Sequence, residues 1–301
     1  MNDVVTRYWM NKCGVAWFKM NEESGNILDS KGGLVGTAYN LTYQGEEGIY
    51  FNGNNSYIQF SNKVIPMGKK SIYFEIKTSQ TNASIVMTQS KGSLEYGTQI
   101  AFLSDNSGKI YLTVNRSVVG SSLFNLITNK VIADDLWHKI LFTWDGTTNE
   151  NGVKLYVDNM DVPQITATSL ALETTTPTNN LSIGRGYATD NRYYYNGYLR
   201  NIQIYSDVID PNPNIPIYLI HDNNVIKTIK DSQIITIGEG VPTEEMFLEH
   251  GFTDVKELVT DEGSVEFEMA SEGVLGEGEV FKFTIPNSIK SVGNIAIEKK
   301  I

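Results

Sequence analysis

The chain has one cysteine, Cys13, in 301 residues. That excludes an intrachain disulfide and leaves no cysteine framework pointing to an oxidising compartment. No stretch approaches the ~18 apolar residues of a membrane-crossing helix, so membrane insertion is not expected. The opening MNDVVTRYWMNKCGVAWFKM lacks the apolar core and cleavage pattern of a secretory signal peptide. Histidine is scarce: His138, His221 and His250 stand far apart, with no HExxH or close His-Cys spacing to hold zinc. Cys13 has no neighbour in sequence that would mark an activated nucleophile. No glycine-rich nucleotide loop is present.

Positive charge is also in short supply. Lys and Arg number 24 against 35 Asp and Glu, for a net charge of -11. Between Glu239 and Glu279 thirteen acids face one base, Lys256. Backbone binding to nucleic acid needs clustered positive charge, so a nucleic-acid partner is excluded. The acidic segment reads as a solvated face.

What the chain does have is short alternating runs separated by Gly, Asn and Asp. Clear examples are 56-SYIQF-60, 71-SIYFEIKT-78, 84-SIVMTQ-89, 98-TQIAFLS-104, 109-KIYLTVN-115, 138-HKILFTWD-145, 153-VKLYVDN-159, 180-NLSIG-184 and 198-YLRNIQIY-205. Parallel βαβ units would need long helical patterns between strands, and none is found between residues 15 and 205. The spacing therefore predicts an all-β, two-sheet antiparallel sandwich. In the pair 138–145 and 153–158, Ile140, Phe142 and Trp144 share one face, and Val153, Leu155 and Val157 share the matching one. Trp144 is accordingly expected in the core.

The run 207-DVIDPNPNIP-216 carries Pro211, Pro213 and Pro216, which discourage both a central strand and a continuous helix. It marks a boundary. Beyond it, 217–238 predicts a small meander with turns at Asp222-Asn223-Asn224 and Lys230-Asp231-Ser232. Residues 243–252 predict a short helix with Thr243 as N-cap and Gly251 as the stop. The segments 264–270, 279–285 and 292–298 predict further strands. The division expected is residues 1–210, 211–262 as a small β-rich α+β attachment unit, and 263–301 as an assembly module.

Four blocks resemble the concanavalin A-like, laminin-G-like jelly-roll superfamily. They are 15-VAWFKMNEESGNILDSKGG-33, 51-FNGNNSYIQF-60, 137-WHKILFTWDG-146 with 153-VKLYVDN-159, and 197-GYLRNIQIY-205, in family order. The resemblance implies a jelly roll over about residues 15–206. The segments 217-IYLIHDNNVIKTI-229 and 243-TEEMFLEHGF-252 are similar to segments of phage or prophage tail-associated host-recognition proteins.

Some enzymes of this superfold carry a Glu-x-Asp-x-x-Glu run, which is absent here, and glycoside hydrolysis needs two positioned carboxylates. Glu22-Glu23 and Glu46-Glu47 sit beside glycine-rich turns as solvent-facing acids. Related jelly rolls carry calcium on hard oxygen ligands. The resemblance thus implies calcium as an optional ion, no cofactor being required, with Asp29, Asn52, Asn54, Asp145 and Asp158 in or beside the family-like turns. Ordinary turn chemistry is the leading reading of the same residues.

The stretch 184-GRGYATDNRYYYNG-197 mixes aromatic faces with polar side chains, the combination that sugars require. Its candidate ligand-binding residues are Arg185, Tyr187, Asp190, Asn191, Arg192, Tyr193 and Tyr194. Asn196-Gly197 reads as a turn and Tyr195 as core. If 193–195 is extended, Tyr193 and Tyr195 face one way and Tyr194 the other.

The leading expectation is a non-catalytic carbohydrate-binding or receptor-binding protein, acting on a cell-surface or cell-wall glycan. It would sit at a virion or extracellular surface without a cleavable signal peptide, and be cytoplasmic before assembly or lysis. Tail or surface assembly proteins are expected partners, and a homo-oligomer is compatible with this. The alternatives are a structural virion or surface spacer and a divergent glycan-cleaving enzyme of the same superfold.

Overall fold

The computed structural model describes residues 3–90, 97–115, 122–186, 193–213, 215, 218–230 and 233–252. The candidates Tyr187, Asp190, Asn191 and Arg192 lie outside the described residues, as do the strands expected after residue 263.

Helix α1 (Asp3–Cys13) runs directly into β1 (Gly14–Phe18). Short strands follow: β2 (Ile27–Leu28), β3 (Val35–Tyr39), β4 (Thr42–Tyr43), β5 (Ile49–Asn52) and β6 (Tyr57–Phe60). The next are β7 (Lys70–Lys77), β8 (Ser84–Thr88), β9 (Gly97–Phe102), β10 (Ile110–Asn115) and β11 (Ser122–Ile127). Then come β12 (His138–Trp144), β13 (Val153–Val157), β14 (Ile165–Ala167), β15 (Ser182–Ile183) and β16 (Asn196–Tyr205). Last are β17 (Ile220–Asp222), β18 (Val225–Lys230), β19 (Gln233–Glu239) and α2 (Glu244–His250).

The pairings make a two-sheet antiparallel sandwich, as the alternation predicts. One sheet runs β14-β13-β12-β7-β16-β5-β4, with β1 added on β16; the other runs β11-β10-β9-β8-β15-β6-β3-β2. In the 138–157 hairpin Ile140 pairs with Val157, Phe142 with Leu155 and Trp144 with Val153. All six face the core, where the Trp144 ring meets Phe124 of the opposite sheet edge-on at 5.3 Å. At the other flank Phe18 meets Phe60 at 4.7 Å. Truncating such a ring to alanine costs about 3–5 kcal/mol.

The outer face of the first sheet carries a second cluster, Met10, Tyr73, Leu141, Tyr156, Tyr205 and Ile209, with Trp9 packed beside it. Helix α1 covers this cluster. Trp9 Nε1 donates to the Asp210 carbonyl at 2.7 Å, and Ser206 N–H donates to the Cys13 carbonyl at 2.9 Å. The second sheet has no such helix over its outer face among the described residues.

Beyond the prolines the expected meander forms from β17, β18 and β19. Its first turn places Asn223 and Asn224 both at positive φ, 50° and 68°, the type I′ geometry of a two-residue hairpin. The expected helix forms too: the Thr243 hydroxyl accepts from Met246 N–H, and the Gly251 N–H closes the last turn on Phe247.

One local expectation is corrected. Asn196 and Gly197 are not a turn but the first residues of β16, paired with Asn52 and Phe51. The kink lies earlier, at Tyr193, whose φ is 64°. It breaks the assumed alternation, so Tyr193 is exposed, Tyr194 half-buried and Tyr195 fully buried. Tyr195 is core, as expected.

Candidate functional site

On β6, Ile58 and Phe60 point into the sandwich, which sends Tyr57 and Gln59 to the outer face of the second sheet. β3 places Tyr39 directly opposite Tyr57, and their rings stack at 4.3 Å with planes 13° apart. The guanidinium of Arg185 lies 3.6 Å from the Tyr57 centroid. Both groups stack on faces of one ring, so Tyr57 is sandwiched between Tyr39 and Arg185. Tyr194 adds a third ring, 6.4 Å from Tyr57.

Arg185 reaches that face because the strand ends two residues earlier, at Ile183. Gly184 takes φ +84°, and a Cβ there would collide with the Phe51 ring, so only glycine fits. Past this kink Arg185 turns back over β6, where Nη2 donates to Gln59 Oε1 at 3.0 Å. Gln59 is fixed in turn, since its Nε2 donates to the carbonyls of Phe60 and Leu181. Both ends of the 184–197 connection are tied: Tyr195 N–H donates to the Gly184 carbonyl, and Ile85 N–H to that of Tyr193. Gln80 holds the far end, bonding the Tyr194 carbonyl and the Asn196 N–H.

Gln59 also belongs to a row that crosses the whole sheet. Register aligns Thr37, Gln59, Ser182, Thr88, Gln99, Thr113 and Asn125 side by side, one from each strand from β3 to β11. The middle of the row is buried, and its ends at Thr37 and Asn125 are exposed. Ser182 Oγ is buried without a hydrogen-bond partner, as is Arg185 Nε.

The charge environment of Arg185 differs from that of other shielded cations. Lys70 is paired with Glu173, and Arg200, stacked on Trp137 at 4.1 Å, donates from Nε to Glu75 at 2.8 Å. Arg185 is 7% exposed, and among the described residues no carboxylate lies within ion-pair distance of it.

The candidate metal ligands stand in four separate turns. Asp29 Oδ1 accepts from the Trp17 and Lys31 N–H groups, while its Oδ2 is buried without a partner. Asn52 Oδ1 accepts from the N–H groups of Asn54, Asn55 and Ser56, so Asn52 and Asn54 share one turn. Asp145 Oδ1 accepts from the Thr147 N–H and hydroxyl. Asp158 accepts from Lys130 Nζ at 2.6 Å and from Lys139 N–H, and faces His138 Nδ1 at 2.9 Å. Asp145 and Asp158 flank opposite ends of β13, roughly 15 Å apart at strand rise, too far for one ion. Among the described residues no three His, Cys, Asp or Glu side chains gather into a metal centre.

Of the ligand-binding candidates that are described, the fold brings Arg185 and Tyr194 together and leaves Tyr193 exposed at the adjoining kink. It adds Tyr39, Tyr57 and Gln59, which sequence reading left out. The signal that could have found them is the alternation of 57–60 opposite 37–39.

No curated protein sequence matches this one. Among solved structures, a receptor binding domain is similar with a TM-score of 0.50 at 11% identity, covering 79% of this chain and 64% of that one. The binding domain of botulinum neurotoxin serotype D gives 0.49 at 12% identity, covering 78% and 64%. Domain 4 of AbnA, an extracellular arabinanase from Geobacillus stearothermophilus, gives 0.46 at 15%, covering 66% and 95%. The chain thus spans somewhat under two thirds of the toxin-type binding domains it resembles. Residues 52–212 match the family model described as the concanavalin A-like lectin/glucanases superfamily. With more than half its length so matched, and with the two-sheet sandwich and its family-ordered blocks, the chain belongs to the concanavalin A-like lectin/glucanase superfamily.

Proposed function

We propose that this protein is a non-catalytic carbohydrate-binding protein that receives a glycan on the outer face of the second sheet, beside Tyr39, Tyr57 and Tyr194. The observation that carries this reading is the Tyr39–Tyr57–Arg185 stack, with the amide of Gln59 next to it. Sugar rings present C–H faces that pack on aromatic rings and hydroxyls that need polar partners, and both are supplied within one patch. Tyr39 and Tyr193 are each about two-fifths exposed (40% and 43%), so the patch is open at its rim. Membership of a superfamily of lectins and glucanases supports the same chemistry.

The finer reading places the glycan on a bacterial or host cell surface, with the chain held at a phage tail or surface assembly by its C-terminal part. It rests on the sequence segments 217–229 and 243–252.

A glycan array that includes teichoic acids and cell-wall polysaccharides, run with calcium and again with a chelator, tests the proposal. A reproducible binder lost in Tyr57→Ala is expected. Silence across the array in both conditions overturns the reading and leaves the spacer role. Loss of binding with chelator would instead assign calcium a part, and Asp29, with its orphaned buried oxygen, is the residue to substitute next.

A further inference from the structure

We infer that the ligand of this surface is an acidic glycan and that Arg185 is the group that reads its anionic charge. This inference rests on the glycan-binding reading above and names the class of sugar.

A guanidinium carries five N–H donors and a fixed positive charge. Taking such a charge out of water is unfavourable unless an anion and a full set of acceptors replace the water. Arg185 is shielded to 7% exposure, yet the partners it has among the described residues are one neutral amide oxygen, on Gln59, and one aromatic face, on Tyr57. Its Nε is buried with no acceptor. The fold solves the same problem differently elsewhere. Arg200, also stacked on an aromatic ring, has Glu75 at 2.8 Å, and Lys70 has Glu173 at 2.8 Å. Arg185 is therefore positioned by Gln59 and Tyr57 and, among the described residues, left without a counter-charge.

Nε and Nη2 lie along one edge of the guanidinium, the fork that matches two oxygens of one anionic group. Tyr57 stands against that fork, with Tyr39 stacked on its far face. A sugar lying across the edges of this stack places a substituent against the fork. The partner chemistry is an anionic oxygen pair on a saccharide. A carboxylate of a uronic or sialic acid supplies it, and so does a phosphodiester of a teichoic acid. Ser182 Oγ, opposite Gln59 in the register and likewise unpartnered, offers a hydroxyl next to the site.

The experiment uses the full chain and matched probes. Oligogalacturonate is compared with its carboxyl-reduced form, sialyllactose with lactose, and glycerol-phosphate teichoic acid with neutral cell-wall polysaccharide, by titration calorimetry. At least one acidic member is expected to bind about thirtyfold or more tighter than its neutral match, weakening as salt rises. The pair that responds distinguishes carboxylate from phosphate. Arg185→Gln is expected to remove the difference, and Arg185→Lys to recover part of it. Equal affinity for acidic and neutral members of every pair overturns this inference while leaving glycan binding intact. Binding of neither overturns both. The wild-type comparison needs no variant, so a poorly folded Arg185→Gln does not block the test.

Discussion

Lys70 Nζ and Glu173 Oε2 lie 2.8 Å apart with side-chain exposures of 1% and 2%, and the ammonium sits 5.5 Å from the centroid of Trp144. Burial pulls the Lys70 pKa below its ordinary value, while the charge and hydrogen bond of Glu173 oppose that shift. Glu173 also accepts from the Gly68 N–H at 2.7 Å, so one carboxylate secures both the lysine and the turn before β7. Removing one partner leaves the other charge buried and alone. Glu173→Gln should destabilise by about 3–5 kcal/mol, measured by urea denaturation. The double variant Lys70→Met, Glu173→Leu should recover most of that loss. A single variant within about 0.5 kcal/mol of wild type would show that water reaches the pair.

Both ring nitrogens of the buried His138 face carboxylates, Nδ1 at 2.9 Å from Asp158 and Nε2 at 2.9 Å from Asp134. Burial alone would raise the pKa of each aspartate. Contacts of Asp158 with Lys130 and His138, and of Asp134 with His138 and the Leu136 N–H, outweigh it and hold both below the ordinary carboxylate value. A depressed carboxylate stabilises fully above its unfolded pKa and loses that contribution as pH falls through the native one. Thermal midpoints should therefore drop as pH falls below about 4, and Asp158→Asn should flatten that part of the profile. Solvent screening keeps the Asp158 effect at or below about 1 kcal/mol. An unchanged slope in the variant would remove Asp158 from the account.

Tyr193 and Tyr195 should separate binding from stability. Tyr195 is fully buried, and its hydroxyl hydrogen-bonds to the carbonyls of Lys77 and Tyr198 at 3.2 Å each. Tyr195→Ala should cost about 3–5 kcal/mol. Tyr193→Ala, at an exposed position, should stay within about 0.5 kcal/mol of wild type while weakening glycan binding. Calorimetric melting beside array binding reads both. If Tyr193→Ala binds as wild type does, Tyr193 lies outside the site.

Gly197 offers a backbone test. Its φ is 151°, and a Cβ would strike the Tyr195 hydroxyl and the Lys77 carbonyl. Gly240 has φ +97° with open space where a Cβ would stand. Both alanine variants strain the backbone by about 1–3 kcal/mol, but only Gly197→Ala adds a collision inside β16. It should be the worse of the two in a denaturant titration, and the reverse order would contradict the packing described.

The thiol of Cys13 is pushed up to about 11, first by burial and then by the charge of Asp207. Its thiolate fraction near neutral pH is about a hundredfold below that of an ordinary cysteine. Native protein should react with iodoacetamide far more slowly than the urea-unfolded chain, and comparable rates would mean that the α1–β1 junction opens readily.

The parts of this fold that could be read from sequence are those fixed by neighbours a few residues away. The face of Trp144 follows from the alternation of 138–144, and the Asn223-Asn224 turn and the Thr243 cap follow from local chemistry. The site was legible only by half. Arg185 and Tyr194 stood in a conspicuous loop, but their partners Tyr39 and Tyr57 come from strands more than 120 residues earlier, joined by register that no local pattern encodes. Lys70 drew no reading from the sequence, because its acid lies 103 residues on. Tyr193 defeated the period-two argument through one left-handed φ, which a tyrosine does not advertise.

The cover that α1 gives the Met10–Tyr73–Tyr205 cluster bears on how the proposed site is used. With Met10, Tyr73 and Tyr205 closed over on one outer face and the tyrosine–arginine patch on the other, the proposed glycan site occurs once in the sandwich. A monovalent grip on a repetitive polymer gains strength chiefly by being repeated. Copies displayed together on one scaffold convert each later contact into an intramolecular one and raise avidity by about 10²–10⁴ without any new contact. Immobilised, clustered protein should accordingly retain a polysaccharide that free protein releases on washing.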